Sequence, residues 1–122
     1  MTNMEDCPFC RIPKDKVIAE DDYFIAIKDE YPVSAGHALI ISKRHITDMF
    51  ELTHNEWNAL QGMIYVVAGR IKCDGYNIGC NCGEAAGQTV MHFHLHVIPR
   101  YKGDVENPRG GVRGVIPSKM HY

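Results

Sequence analysis

The stretch Gln88-Thr89-Val90-Met91-His92-Phe93-His94-Leu95-His96-Val97-Ile98-Pro99-Arg100 decides the reading of this chain. From Met91 to Val97, histidines alternate with large apolar residues. Successive side chains of an extended strand point to opposite faces, so strict alternation marks a half-buried β-strand. One face then carries only imidazoles and the other only apolar groups. The apolar set fits a core, while the imidazole set faces a cleft, a cavity or a metal. At a rise of ~3.3 Å per residue, His92 and His96 stand roughly 13 Å apart along the backbone. That span is too long for all three rings to hold one ion, so the row serves at least two purposes. The strand is expected over residues 90–98, closed by Pro99, which has no N–H to give to a ladder.

The small-residue loop Gly83-Glu84-Ala85-Ala86-Gly87 leads into this strand. Backbone N–H groups in such a loop approach an anion closely, and Gln88 and Thr89 add polar contacts. A neutral imidazole attacks phosphorus when a neighbour fixes its tautomer. The middle residue, His94, is the natural nucleophile, with His96 placed to donate to a phosphate oxygen or to the leaving oxygen.

Working outward, residues 16–19 and 23–27 are β-prone runs joined by Glu20-Asp21-Asp22, a hairpin pattern. Asp29 follows the second run, and Pro32, Ser34 and Gly36 mark a loop. His37-Ala38-Leu39-Ile40-Ile41 is apolar enough for a central strand, and Lys43-Arg44-His45 leaves it as a polar turn. Thr53 with Glu56 three residues on is a capping box, with Leu52 as its hydrophobic staple. Trp57, Leu60, Ile64, Val67, Ala68 and Ile71 form the expected apolar helix face. Residues 76–81 give a further strand. The order β-β-β-α-β-β predicts an α+β domain: an antiparallel five-stranded sheet with one long helix. Residues 102–122 are rich in Gly and Pro without periodicity and read as an extended tail, with Val112, Val115 and Ile116 as anchors on the site or on a partner subunit.

Composition narrows the classes. A chain of 122 residues suits one domain, and 45% hydrophobic with 23% charged residues is ordinary globular usage. Thirteen Lys+Arg against 15 Asp+Glu leave a formal charge of −2, which gives no nucleic-acid footprint. No apolar run reaches the ~20 residues of a membrane span, so no membrane partner is expected. The acidic MTNMEDCPFC start is unlike a signal peptide. Five cysteines, an odd number, do not make a disulfide framework, and intracellular thiols in a cytoplasmic protein fit better. Cys73, Cys80 and Cys82 are assigned no role, nor are His54 and His121.

His92-Phe93-His94-Leu95-His96-Val97-Ile98, preceded by Gly87-Gln88-Thr89-Val90, closely resembles the motif of the histidine triad (HIT) proteins. Residues 36–45, from Gly36-His37-Ala38-Leu39 to Lys43-Arg44-His45, look like the family's earlier strand and turn. Asn81-x-Gly83 looks like the segment before its phosphate loop. The likeness covers residues 7–101. It implies a HIT-like fold whose homodimer shares one continuous sheet. It also implies hydrolysis or transfer of a nucleotidyl group, from a purine nucleotide conjugate, through a nucleotidyl-histidine. His94 matches the family nucleophile, and His92, His96 and His37 its supporting histidines. Asn81, Gln88 and Thr89 match positions around the α-phosphate, Asp29 the carboxylate holding the ribose hydroxyls, and Ile27 a residue of the nucleobase pocket. Nucleoside phosphoramidates and dinucleoside polyphosphates are both implied substrates.

Cys7-Pro8-Phe9-Cys10 lacks the βαβ surroundings of a redox motif. A closed zinc site takes four ligands, and two thiolates with His45 and one triad histidine complete Cys₂His₂. A zinc-containing branch of the family looks like this, with the outermost histidine as ligand, so the resemblance selects Cys7, Cys10, His45 and His92, with His96 the alternative for the last place. The zinc is expected to be structural and to anchor residues 1–14 of a single 1–122 domain. The competing functional class is a nucleotide-binding sensor or scaffold with little turnover, against which the intact His94 speaks.

Overall fold

In the computed structural model, which describes residues 6–122, five strands carry one helix. Residues 1–5 of the expected zinc-anchored segment lie outside the described residues. The strands are β1 (Val17–Glu20), β2 (Phe24–Lys28), β3 (Ala38–Ser42), β4 (Gly75–Gly79) and β5 (His94–Arg100), and the helix is α1 (His54–Ala68). The sheet order is β1-β2-β3-β5-β4, with every neighbouring pair antiparallel, so the expected α+β arrangement of five strands and one helix is present. Asp21 makes the first turn. Its Oδ1 accepts the N–H groups of Tyr23 and Phe24, the local bonding that suits Asp to turns.

The helix starts where the capping box places it. Thr53 accepts the Glu56 N–H, and the Glu56 carboxylate accepts the Thr53 N–H. Its buried face is Leu60, Met63 and Val67, spaced at three and four residues, with Leu52 also in the core. Trp57, expected on that face, is 42% exposed, and Glu56 is buried instead. The helix ends at Ala68, leaving Ile71 in the following turn against Gly36. The Tyr76 hydroxyl donates to the Ala68 carbonyl, satisfying one of the helix's orphan acceptors.

Alternation sorts the sheet into two faces. Phe24, Ala26, Ala38, Ile40, Leu95 and Val97 pack with the helix in the main core. The other face carries Ile27, Leu39 and Ile41, with Phe9, Ile12 and Ile25 against them. Register sets Leu39 opposite His96 and Ile41 opposite His94, so both imidazoles belong to this second face. Truncating a core residue such as Leu60 to Ala would cost about 2–5 kcal/mol.

The histidine strand is displaced from its expected 90–98 span to His94–Arg100. Before His94 the backbone leaves the ladder: the Phe93 N–H donates to the Ile46 carbonyl at 2.7 Å, in the turn that carries His45. Pro99 lies inside the strand rather than ending it. β3 reaches β5 only as far as the Ala38–Val97 pair, so no ladder bond is asked of Pro99 on that side, and its carbonyl accepts from Ser34 Oγ. In the tail, Gly111–Val115 and Pro117–Lys119 form short 3₁₀ turns, and Val112, Val115 and Ile116 are all exposed. Among the described residues, no helix is long and apolar enough to cross a membrane.

Candidate active site and metal centre

The second face of the sheet floors a cleft of about 730 Å³, a size that suits a small-molecule ligand. Of the residues singled out in the sequence, Ile27, Asp29, Asn81, Thr89, His94 and His96 line it. Pro8, Phe9, Ile12 and Leu39 complete an apolar wall beside Ile27, while Arg11 and Lys16 bring cations to the lining. The cleft therefore pairs an apolar side with two carboxylates, Asp29 and Glu30, and two imidazoles.

Hydrogen bonds settle which ring nitrogen of each imidazole carries the proton. His94 Nδ1 lies 2.8 Å from the His92 carbonyl, which can only accept, so Nδ1 is the N–H and Nε2 keeps its lone pair. Behind His96, the Val33 N–H donates to His37 Nδ1 at 3.2 Å, which leaves the His37 proton on Nε2. That N–H donates to His96 Nδ1 at 3.0 Å, so the proton of His96 is on Nε2. Burial pushes the His37 and His96 pKa values down from the ordinary histidine value, and the neighbouring histidines lower His96 further, while Asp29 opposes both shifts. Both rings are therefore neutral at pH 7, as this relay requires. The result is a lone pair on His94 beside an N–H donor on His96, with ring centroids 5.4 Å apart.

Asp29 is fixed at the end of β2. Its Oδ1 accepts the Tyr31 N–H at 2.7 Å, and its Oδ2 lies 3.4 Å from His37 Nε2. His37 is buried behind the cleft and reaches it through His96. Gln88 is also buried, and its amide is occupied within the loop. Oε1 accepts the Gly83 N–H, and Nε2 donates to the Thr47 and Val90 carbonyls. It shapes the loop instead of lining the cleft. Gly83 (φ 92°) and Gly87 (φ 95°) stand in the left-handed region that disfavours a side chain, which lets the loop turn tightly ahead of Thr89.

His92 has a different setting. It is fully buried, and its Nε2–H donates to the Ser42 carbonyl at 2.7 Å. Its Nδ1 lone pair faces Cys7 Sγ at 3.3 Å, Cys10 Sγ at 3.5 Å and His45 Nδ1 at 3.1 Å. Cys10 Sγ is 3.0 Å from His45 Nδ1, and all four ligand atoms lie within 4.8 Å of one another. With bonds of ~2.3 Å to sulfur and ~2.0 Å to nitrogen, a tetrahedral zinc holds its ligand atoms roughly 3.3–3.8 Å apart. The four separations just given lie within about half an ångström of that spacing, so the donor set fits that ion. A metal-ligating histidine also characteristically donates its other N–H to a carbonyl, as His92 does. Burial, followed by repulsion from His45 and His94, lowers the His92 pKa and favours the neutral ligand form.

Phe9, between the two cysteines, was not singled out in the sequence. Its ring meets His92 and His94 edge-on, at centroid distances of 6.1 and 5.0 Å, so the segment that supplies the thiols also supplies a cleft wall. An aromatic residue inside the C-x-x-C was the available signal. Lys43 and Arg44 pair with Glu20 and Glu56 and are not among the cleft-lining residues. Arg109 and Arg113 stack over the Tyr122 ring, away from the cleft lining.

The HIT domain family model matches residues 11–103. An uncharacterized HIT-like protein of Methanocaldococcus jannaschii is 39% identical over 107 residues, covering 82% of this chain and 83% of that protein. Adenosine 5'-monophosphoramidase of Schizosaccharomyces pombe is 36% identical over 98 residues, covering 77% of this chain and 74% of its own. Among solved structures, a Zn-bound histidine triad family protein from Mycobacterium smegmatis superposes with a TM-score of 0.71 at 36% identity, covering 86% of this chain and 82% of that one.

Proposed function

The chain belongs to the histidine triad (HIT) family, and on that premise we propose that it is a nucleotidyl hydrolase or transferase working through a covalent nucleotidyl-histidine on His94. The observation that carries this is the His94 Nδ1–H bond to the His92 carbonyl, which commits one nitrogen and leaves Nε2 unprotonated in the cleft. The Nε2 lone pair attacks the α-phosphorus of a purine nucleotide conjugate. The bond from phosphorus to the leaving group breaks, and its electron pair departs with that group. The His92 carbonyl stabilises the positive charge that develops on the ring. His96 Nε2–H donates to a phosphoryl oxygen or to the departing atom, held in that tautomer by His37. Water then cleaves the nitrogen–phosphorus bond and releases the nucleotide. Asp29 receives the ribose hydroxyls, Ile27 with Phe9, Ile12 and Leu39 the base, and Asn81 and Thr89 the phosphate, while Gln88 holds the phosphate loop in shape. The relative acting as an AMP phosphoramidase supports a nucleoside phosphoramidate, and a dinucleoside polyphosphate is the other substrate class.

Cys7, Cys10, His45 and His92 would hold a zinc ion. With four protein ligands it leaves no position for a water, so its contribution is structural: it fixes the Phe9 wall and the approach to β5. The chain is also proposed to form a homodimer. β4 is an edge strand with Tyr76 and Ile78 exposed, and Trp57, Tyr65 and Val66 are exposed on α1. Pairing of two β4 edges about a two-fold axis would join the sheets into one. Light scattering at micromolar protein should give twice the 13.8 kDa chain mass.

The test is turnover across adenosine 5'-phosphoramidate, ADP, and diadenosine tri- and tetraphosphate. Release of AMP from at least one, with an acid-labile nucleotidyl adduct trapped on His94, is expected. Tight nucleotide binding without turnover of any would favour the sensor class instead.

A further inference from the structure

Three sulfur atoms outside both sites lie close together, two of them on residues that flank Asn81 of the cleft lining. Cys80 and Cys82 flank Asn81, just after β4. Residues i and i+2 of an extended segment share a face, and their Sγ atoms stand 3.9 Å apart. From a different part of the chain, the short turn Met49–Glu51 brings Met49 Sδ to 3.6 Å from Cys80 Sγ, which donates its S–H to it. All three residues are half-buried, so they are held by packing yet reachable from solvent. Cys80 and Met49 also touch the main core, and packing alone would account for two sulfurs. It does not account for the second thiol, Cys82, which is not part of that core and sets its Sγ 3.9 Å from that of Cys80.

We propose that Cys80, Cys82 and Met49 form a three-coordinate site for a soft monovalent cation, copper(I). Two thiols and a thioether make a donor set that selects copper(I) over harder ions. With the ~2.3 Å bond of metal–thiolate sites, a trigonal ion separates its sulfurs by ~4.0 Å. The two distances here need little change to meet that. Zinc is a poor match, because it asks for four ligands and a thioether is a weak donor to it. Binding forms two copper–thiolate bonds and one copper–thioether bond and releases two protons, with no change of oxidation state. The cation would bridge the Met49 turn to the two residues either side of Asn81. This site does not depend on the reaction assigned to His94.

The experiment loads the zinc-replete full chain anaerobically with copper(I), in competition with a chromophoric copper(I) chelator. Wild type should take up one more copper per chain than Cys80→Ser/Cys82→Ser, with zinc content the same in both. Met49→Leu should keep the stoichiometry and weaken binding at least tenfold. X-ray absorption of the wild-type copper form should show three sulfur neighbours and no nitrogen, a readout that depends on no variant folding. Equal uptake by the double variant, copper taken up only as zinc leaves, unchanged affinity in Met49→Leu, or nitrogen in the copper shell would each overturn the site.

Discussion

His92 and His94 lie two residues apart in one alternating row, yet their environments share almost nothing. His92 is fully buried, donates through Nε2 to the Ser42 carbonyl and turns Nδ1 toward two thiols and a second histidine. His94 donates through Nδ1 to the His92 carbonyl and turns Nε2 into the cleft. In both, a backbone carbonyl takes one ring nitrogen and so determines what the other can do. Under the proposed function, a carbonyl on Nε2 prepares His92 as a metal ligand, and a carbonyl on Nδ1 prepares His94 as a nucleophile. The difference arises because the ladder begins at His94, so the chain at His92 still follows the turn that carries His45.

Four changes would break or sharpen that contrast. The largest effect is expected at the cleft end. His94→Ala should lower turnover by roughly 10³-fold or more while nucleotide binding stays measurable, because affinity resides mostly in base, ribose and phosphate contacts. Steady-state kinetics beside calorimetric binding would check it, and similar rates in both proteins would remove His94 from the nucleophile role.

At the other end, Cys7→Ser with Cys10→Ser should empty the zinc site and cost on the order of 3 kcal/mol or more of stability, with only a few-fold loss of turnover. Elemental analysis and thermal melts read the first two. If a folded double variant lost all activity, the two ends would not be separate devices.

A smaller effect is expected from His37→Ala, which removes the donor that fixes the His96 proton on Nε2. A fall in kcat of about tenfold or more with little change in KM is expected, together with an altered pH profile. An unchanged profile would mean that His96 keeps its tautomer without help.

The smallest change sharpens the metal end through the turn that delivers His45. Arg44 Nε and Nη2 donate to the Glu56 carboxylate at 3.0 and 2.8 Å, and Nη2 also donates to the Glu51 carbonyl. The Arg44 guanidinium, aided by the Thr53 bonds, holds the Glu56 pKa down to about 2 from 4.5. A depressed carboxyl pKa stabilises the fold above its unfolded value and loses that contribution as pH falls, here between about 4.5 and 2. Glu56→Gln should therefore cost roughly 1–2 kcal/mol at neutral pH and flatten the stability curve in that window, read from urea midpoints against pH. His37 and His96, whose pKa values are lowered, act in an earlier window. Their contribution is complete above the ordinary histidine value of ~6.5 and is lost below it, in wild type and Glu56→Gln alike.

What could be read from the sequence was local. Thr53 and Glu56 sit three residues apart and cap the helix as written, and alternation sorts Leu95 and Val97 from His94 and His96. What escaped depends on partners far along the chain. The true start of β5 is set by the reach of β3 and by Ile46, and Pro99 is admitted because Ala38 ends the facing ladder. Which helix residues face the sheet depends on how the helix is rotated over it, so Met63 is buried where Trp57 was expected. Gln88 is a loop brace because Thr47 lies beside it, 41 residues away in sequence. Phe9 shows the same limit: nothing within Cys7–Cys10 reveals which rings it will touch.

The Phe9 wall has a consequence for the growing chain. Cys7 and His92 are 85 residues apart, and the segment between them supplies every other strand and the helix. At roughly 5–20 residues per second, a ribosome needs about 4–17 s to bring His92 into being after Cys7. Throughout that interval the two thiols have no His92 to meet, and Phe9 has no His94 to pack against. The wall of the cleft is made before every strand and is seated only once His92 and His94 follow, so oxidant that reaches the two thiols during translation would strike this corner while its partners are still to come.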